Sequence, residues 1–181
     1  TVLTRVLFAA INNVGGERGS VVVMDDGGRV VESAIVYGNQ LRENTTIQLR
    51  ETVERGLAGW VVRNQQAALV PDTSLDSRWL RREDDAIERS GAKSAMCVPL
   101  LAREKMVGVL TLVHPIPKAY HEEHLSLMQA IADQAGVAIL NARLFSESQR
   151  QARVMTLLAE GAVSMNTSLR MDEVFESILS Q

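Results

Sequence analysis

The feature that most constrains the fold is a helical pattern that runs from about His121 to Asn166 without a proline. Apolar residues keep heptad spacing along its first part: Leu125, Met128, Ala132, Ala135, Ile139 and Ala142. At 1.5 Å per residue, such a helix would reach roughly 65 Å, about twice the diameter of a small domain. We therefore expect its first half to pack on a globular domain. The mostly polar stretch beyond Phe145 should leave that domain as a linker or coiled coil.

The N-terminal part of the chain predicts a helix followed by a sheet. An amphipathic helix over residues 1–14 should end at Gly15-Gly16. Two hairpins follow, one turning at Asp25-Asp26-Gly27-Gly28 and a later one at Arg103-Glu104-Lys105. Strand segments such as "SVVVM" and "VGVLTLV" are apolar at nearly consecutive positions rather than at alternate ones. The sheet should therefore be covered on both faces.

The segment "GLAGWVVRNQQAALVPDTSLDSRW", residues 56–79, is the candidate cover for the second face of the sheet. Gly56 should let the chain turn into a short helix, and Ala67 to Val70 should form an edge strand, since Pro71 donates no ladder hydrogen bond. Asp72 can close an Asx turn, and Asp76 can cap a helix that carries Trp79.

Composition excludes several classes of function. The 181 residues carry a net charge of -3 with mixed signs, so neither nucleic acid nor a membrane surface is an expected partner. No apolar run approaches the roughly 20 residues that a membrane span needs. A single cysteine, Cys97, lies in an apolar strand, where a buried small hydrophobe is favoured over a redox centre. We expect a cytoplasmic fragment, because cysteine poverty fits a reducing compartment.

The order and spacing of these segments resemble a bacterial GAF domain over residues 1–145. The matching phrases are "ERGSVVVMD", "GLAGWVV", "VPDTSLDSRW", "GAKSAMCVPL", "VGVLTLVH" and "HLSLMQAIADQAGVAILNARLF". The resemblance implies an α+β fold, with a central antiparallel sheet, terminal helices on one face that pair in dimers, and a small-molecule pocket under the crossing segment on the other. It further implies a regulatory module of a larger signalling protein, such as a sensor histidine kinase or a cyclic-dinucleotide enzyme.

The resemblance also gives candidate site residues. Those expected to bind a ligand are Trp60, Asp72, Thr73, Arg78, Trp79, Ser94 and Met96. Cyclic-nucleotide-binding members carry Asn-Lys, Phe and Asp-Glu after the last strand, whereas this chain has His114-Pro115, Tyr120 and His124-Leu125 there. A cyclic nucleotide is therefore not the expected ligand. A purely structural role for the crossing segment remains open.

No catalytic constellation is evident in the sequence. There is no phosphate-binding glycine loop or Ser-His-Asp set, and His121-Glu122-Glu123-His124 fits the first turn of a helix better than a metal site. We expect neither an enzyme nor a bound cofactor or metal in this chain.

Three segments are predicted along the chain. Residues 1–145 form the GAF-like domain, 146–168 a helical linker, and 169–181 the truncated start of a second GAF-like unit. The last prediction rests on the pairs Val174-Phe175 and Ile178-Leu179, which repeat the spacing of Val2-Leu3 and Val6-Leu7. The predicted function is a sensory module that binds an unknown small molecule, forms a homodimer through its terminal helices, and passes a signal through its C-terminal helix to adjacent signalling domains. The alternative is a ligand-free dimerisation or spacer domain that predicts a pocket filled by Trp60, Leu75, Trp79 and Met96.

Overall fold

The computed structural model describes residues 1–38, 40–43, 45–81 and 91–179. The helices are α1 (Val2–Val14), α2 (Thr46–Arg55), α3 (Leu57–Asn64) and α4 (Glu122–Leu179). The strands are β1 (Arg18–Met24), β2 (Val30–Tyr37), β3 (Gln40–Glu43), β4 (Ala68–Val70), β5 (Ser94–Ala102) and β6 (Lys105–His114). The strands form one antiparallel sheet in the order β3-β2-β1-β6-β5-β4. The α+β fold predicted from the sequence is confirmed.

Both predicted hairpins are present. The Asp25 carboxylate closes the first turn by accepting the Gly27 N–H at 2.9 Å, and Gly28 adopts a positive φ of 75°. In the second turn Arg103 and Glu104 have φ values of 51° and 66°, the left-handed pair that matches the twist of a two-residue hairpin. Lys105, predicted as part of that turn, is instead the first residue of β6.

Each face of the sheet carries its own apolar layer. Alternate residues of β1, β5 and β6 point to opposite faces, so each consecutive apolar run contributes side chains to two separate clusters. On the terminal-helix face, α1 and the start of α4 bury side chains that include Leu7, Met96, Leu110, Met128 and Ala132. On the α2/α3 face, the cluster includes Val22, Leu49, Val61, Cys97 and Val109. The predicted two-sided covering is confirmed.

Glycines set the closest helix contacts. At Gly136 of α4 an added Cβ would strike the carbonyl oxygen of Leu101, so this helix lies directly on the backbone of β5. At Gly59 of α3 a Cβ would strike the carbonyl oxygen of Val53 in α2. Because only glycine fits at such distances, both positions fix helix placement through sterics.

Five of the six heptad residues are buried as predicted, whereas Ala142 is only half-buried. The five are at most 9% exposed: Leu125, Met128, Ala132, Ala135 and Ile139. The helix continues past the expected end at Asn166 to Leu179. By contacts the chain divides into Thr1–Leu140 and Asn141–Gln181, and the predicted second GAF-like unit stays a prediction. Helix α2 and strand β3 were not predicted. Among the described helices, none is both long and apolar enough to cross a lipid bilayer.

Candidate functional site

Polar side chains interrupt the apolar layer on the α2/α3 face of the sheet. Ser20 of β1 lies opposite Thr111 of β6, and Thr111 lies opposite Cys97 of β5, so these three residues form one row across the sheet. Arg18 lies two residues before Ser20 and therefore points to the same face. The central strands thus place two hydroxyls and one cation where their neighbours are aliphatic.

Arg18 is a buried cation on the same face of the sheet as this row. It is only 6% exposed, and its Cζ lies 5.7 Å from the ring centroid of Tyr37, its cross-strand partner on β2. A guanidinium stays charged inside proteins and presents five N–H donors in a planar fork. Burying a guanidinium is costly unless hydrogen-bond acceptors and aromatic faces replace the water that it loses. A buried arginine at the edge of a cavity is therefore a candidate ligand-binding residue.

Cys97 is an inert neighbour of the cavity. The Thr111 hydroxyl donates to its Sγ at 3.2 Å, and burial raises the pKa of the thiol to about 12. Because the thiolate is the reactive form, the thiol stays protonated and unreactive at neutral pH. The prediction of a buried small hydrophobe at this position is confirmed.

A small cavity of about 20 Å³ lies above this row, between the sheet and the α2/α3 layer. The lining residues are Arg18, Ser20, Thr52, Leu57, Ala58, Trp79, Leu80, Thr111 and Val113. The Oγ1 of Thr52 is buried and has no hydrogen-bond partner. The volume is enough for about one water molecule, so the cavity is closed to any metabolite in this conformation.

The cavity is covered by residues 71–81, which we call the cover segment. Its Arg78 forms a bidentate pair with Asp76, Nε to Oδ1 at 2.9 Å and Nη2 to Oδ2 at 2.7 Å. The Arg78 Cζ also lies 4.7 Å from the ring centroid of Trp60 on α3. The side-chain hydrogen bond from Arg78 holds the pKa of the Asp76 carboxyl below its usual value. Arg78 therefore joins the cover segment to the helix layer, beside Trp79 in the cavity wall.

The predicted role of Asp76 as a helix cap is wrong for the described residues. Its Oδ1 accepts the Arg78 N–H at 2.9 Å, and its carbonyl accepts the Trp79 N–H at 3.1 Å. These bonds close a turn. Within residues 71–81, the described residues around Trp79, the chain forms turns and no helix.

Asp72 and Thr73 hold the start of the cover segment in place. Asp72 Oδ1 accepts from the N–H and the hydroxyl of Ser74, which is the predicted Asx turn. The Thr73 N–H donates to the Lys93 carbonyl at 2.8 Å, and the Lys93 N–H donates to the Thr73 hydroxyl at 3.0 Å. Asp72 Oδ1, the Thr73 N–H and the Thr73 hydroxyl are thus bonded to neighbouring protein groups.

Ser94 and Met96 lie on the other side of the sheet. Met96 is fully buried in the terminal-helix cluster, and Ser94 follows the same alternation and donates its hydroxyl to the Ile116 carbonyl at 2.8 Å. The structure therefore places Trp79 in the cavity wall, packs Trp60 and Arg78 against each other outside the lining, and separates Ser94 and Met96 from the cavity. The spacer alternative predicted that Leu75 and Met96 help to fill the pocket. This prediction is wrong for both residues, because Met96 lies on the other face of the sheet and Leu75 is 84% exposed.

Sequence reasoning missed the residues that line the floor and roof of the cavity. Arg18, Ser20, Thr52 and Thr111 were not candidates, although Arg18 and Ser20 are two apart at the start of a buried strand. Thr111 likewise interrupts an apolar run in "VGVLTLVH". Polar residues at period two inside doubly covered strands were the available signal.

The histidines near the start of α4 have local structural partners. His124 Nδ1 accepts the N–H of His121, and His114 Nδ1 accepts the N–H of Ile116. Glu122 and Glu123 occupy the first turn of α4, as predicted. Across the part of the chain that is described, no group of three or more His, Cys, Asp or Glu side chains could hold a metal ion.

Comparison with known proteins gives a family match. The family model described as "GAF domain" matches residues 1–139. Over 79 residues, or 44% of this chain, the sequence is 30% identical to the peroxide stress-activated histidine kinase mak3 of Schizosaccharomyces pombe. The chain spans 3% of the length of that relative.

Solved structures show the same fold. The GAF domain of a phosphoenolpyruvate-protein phosphotransferase from Coxiella burnetii aligns with a TM-score of 0.59 at 15% identity, covering 80% of this chain and 84% of that one. The second GAF domain of DevS from Mycobacterium smegmatis aligns with a TM-score of 0.52 at 22% identity, covering 83% and 96%.

Proposed function

The chain belongs to the GAF domain family, and from that membership we propose that it is a sensory module that binds a small molecule on the α2/α3 face of its sheet. GAF is a regulatory domain, and the partial match to a histidine kinase favours a place in a cytoplasmic signalling protein. The observation that carries the proposal is the covered cavity, in which a buried arginine and three hydroxyls share one small space.

Binding requires the cover segment to move. A cavity of about 20 Å³ cannot hold a metabolite, whereas typical ligand pockets measure about 300–1,000 Å³. The side-chain contacts that hold Arg78 against Trp60 and Asp76 are partly solvent-exposed, and together such contacts contribute only about 0.5–1 kcal/mol. Displacing Trp79 and Leu80 would enlarge the cavity without disturbing the sheet beneath.

The sheet itself offers a route for the signal. Thr111 lines the cavity, while its neighbours Leu110 and Leu112 pack in the cluster that contains α1 and α4. A ligand that displaces β6 therefore displaces the surface on which α4 rests. The helix responds only if the ligand binds one arrangement more tightly than another, since equal affinity shifts no population. We propose that this differential binding passes through α4 to the next domain.

The alternative function is a ligand-free dimerisation or spacer domain. The small size of the cavity favours it, because Trp79 and Leu80 already occupy the space that a ligand would need. In that case the terminal helices would pair two copies, and the exposed apolar residues of α4 beyond residue 150 would continue the pairing as a coiled coil. These exposed residues include Val154, Leu157, Leu158 and Val163.

Tryptophan fluorescence separates the two functions. The chain has two tryptophans, Trp60 and Trp79, and both contact the cover segment or belong to it. The experiment screens fractions of a metabolite extract by thermal shift and by tryptophan emission, using the whole chain, with Trp60→Phe and Trp79→Phe to assign the signal. Spin labels at Glu147, an exposed position of α4, then report the distance between the helices of two copies.

Each outcome decides one part of the proposal. A fraction that raises the melting temperature, changes Trp79 emission and alters the label distance supports sensing with transmission. Binding with an unchanged distance keeps the ligand site but refutes transmission through α4. Unchanged emission with every fraction, together with a stable dimer that carries no ligand in native mass spectrometry, supports the spacer.

A further inference from the structure

We infer that the ligand carries a small oxyanion, a carboxylate or a phosphate, which binds in the cavity against the Arg18 guanidinium and the hydroxyls of Ser20 and Thr52. This inference rests on the proposed function, because it names the chemical class of the molecule that would enter the cavity. It is carried by the composition of the lining. Among the described residues that line the cavity, Arg18 is the one charged group, and the others are aliphatic, aromatic or hydroxyl-bearing.

The guanidinium selects the charge of the ligand. Arg18 is buried to 6% exposure and stays ionised, so a cation would be repelled, and a neutral acceptor would gain a hydrogen bond to the guanidinium but no ion pair. An oxyanion gains charge-assisted hydrogen bonds, roughly twice as strong as neutral ones, and the planar fork of arginine matches a carboxylate or phosphate edge. With five N–H donors, Arg18 can serve a protein partner and a ligand at the same time.

The hydroxyls fix where the anion would lie. The register of β1 places Ser20 two residues from Arg18 on the same face, and Thr52 of α2 lies across the cavity from them. The Thr52 Oγ1 is buried without a hydrogen-bond partner, and leaving a buried hydroxyl unpaired is destabilising. An acceptor oxygen placed between Arg18 and Thr52 would satisfy that hydroxyl. Thr111 already donates to Cys97 and contributes to the shape of the site.

The occupant of this site is expected to be compact near its anionic end. Leu57, Ala58 and Val113 close the remaining walls with apolar surface. The part of the ligand that carries the charge therefore lies deep, against β1 and β6. Any larger portion would take the place of Trp79 and Leu80 at the cover segment, where the cavity can open.

The test compares anions with neutral molecules of the same shape. Acetate, succinate and inorganic phosphate are titrated at millimolar concentration into the whole chain, alongside acetamide and succinamide. Binding is followed by backbone amide shifts of Ser20 and Thr111 and by tryptophan emission. The variants are Arg18→Met, Arg18→Lys and Thr52→Val, and the matched control is Arg29→Met, since Arg29 is an exposed arginine in the first hairpin turn.

The inference predicts that at least one oxyanion binds and that the amides do not. Arg18→Met should weaken that binding about tenfold or more, and Arg18→Lys should weaken it less, because lysine keeps the charge but loses the fork. Thr52→Val should weaken binding severalfold and Arg29→Met should leave it unchanged. Which of the carboxylates or phosphate binds identifies the source of the oxyanion.

Other results overturn the inference in distinguishable ways. If the amides bind as tightly as the carboxylates, or if folded Arg18→Met and Thr52→Val proteins both keep native affinity, the cavity takes a small molecule but does not select an anion. If no oxyanion binds, the inference is wrong, and the metabolite-extract screen decides separately whether the chain binds any ligand. Melting temperatures of all variants establish that the proteins compared are folded.

Discussion

The two faces of the sheet are built from the same strands but differ in how they treat polar groups. On the terminal-helix face, the buried hydroxyls of Tyr120 and Ser94 donate to backbone carbonyls, at 2.6 Å to Gly15 and 2.8 Å to Ile116. On the α2/α3 face, the Thr52 hydroxyl is buried without a partner, and a charged arginine lies beside a cavity. These two hydroxyls of the terminal-helix face are paired, whereas the Thr52 hydroxyl of the α2/α3 face keeps unmet hydrogen-bonding capacity.

This difference indicates where packing stability is concentrated and, under the proposed function, where a ligand would bind. Natural interiors pair nearly all of their buried polar groups, so an unpaired buried hydroxyl calls for a specific explanation. The terminal-helix face therefore contributes mainly packing energy, through residues such as Leu7 and Met128. The α2/α3 face gains less packing energy, because polar side chains lie beneath the cover segment where apolar ones would pack.

The largest effect is expected on the terminal-helix face. Met128 is fully buried between α4 and the sheet, so Met128→Ala should lower the free energy of unfolding by about 2–5 kcal/mol through lost burial and a residual cavity. Leu127, the adjacent residue, is 43% exposed and provides the matched control. Urea denaturation measures both variants. Equal losses for Met128→Ala and Leu127→Ala would mean that α4 does not pack as described.

The second prediction concerns whether water reaches the Cys97 thiol on the α2/α3 face. An unfolded Cys97 thiol ionises near pH 9, whereas burial raises its pKa to about 12 in the folded chain. Above pH 9 the unfolded state therefore loses the proton first, and stability should fall as pH rises towards 12, by up to about 1.4 kcal/mol per pH unit.

The control for this pH dependence is Cys97→Ala. Tyr120 also has a raised pKa because of burial, so the difference between native protein and variant isolates the thiol. Chemical denaturation at several pH values between 8 and 11 gives both curves. Identical slopes for the two proteins would show that Cys97 is accessible to water, and the description of a closed cavity would then be incorrect.

The third prediction removes the unmet hydrogen bond. Thr52→Val keeps the shape of the side chain and deletes the buried hydroxyl, so the free energy of unfolding should rise by about 1 kcal/mol. Thr111→Val, which removes a hydroxyl that donates to Cys97, should give no such gain. A stabilised but binding-deficient Thr52→Val protein is the result expected of a face that sacrifices stability for function.

The smallest effect is expected at the cover segment. Arg78→Ala removes the contact with Trp60 and the pair with Asp76, and it should cost about 0.5–1 kcal/mol while the sheet stays intact. Tryptophan emission should shift to the red as Trp60 becomes more exposed to water. Leu75→Ser is the control, because Leu75 is 84% exposed and should change stability by less than about 0.5 kcal/mol.

The sequence predicted the architecture of this fold better than the identity of its site. Consecutive apolar residues in β1 and β6 are enough to require covering on both faces, and the heptad from Leu125 to Ile139 identifies one of the covers. Helix α2 escaped prediction because "TIQLRETVER" is largely polar, although Leu49 on it is almost fully buried.

The site was harder to predict because strand alternation divides residues between two faces but does not show which face the terminal helices cover. Ser94 and Met96 share one face of β5, and Ala95 and Cys97 share the other, but both faces are apolar. Only the packed structure assigns the first pair to the terminal helices. Arg18, at the start of β1, has the sequence context of a solvent-facing strand end, and its burial depends on α2 and the cover segment, which lie far from it in sequence.

Native-state hydrogen exchange followed by mass spectrometry tests the contrast between the two faces most directly. We expect the amides of α2, α3 and the cover segment to exchange through local openings that cost well below the global free energy of unfolding. Amides of β1, β6 and residues 125–139 of α4 should exchange only on global unfolding. If α1 and this part of α4 open first, or if both faces exchange together, the α2/α3 face is not the one that opens to admit a ligand.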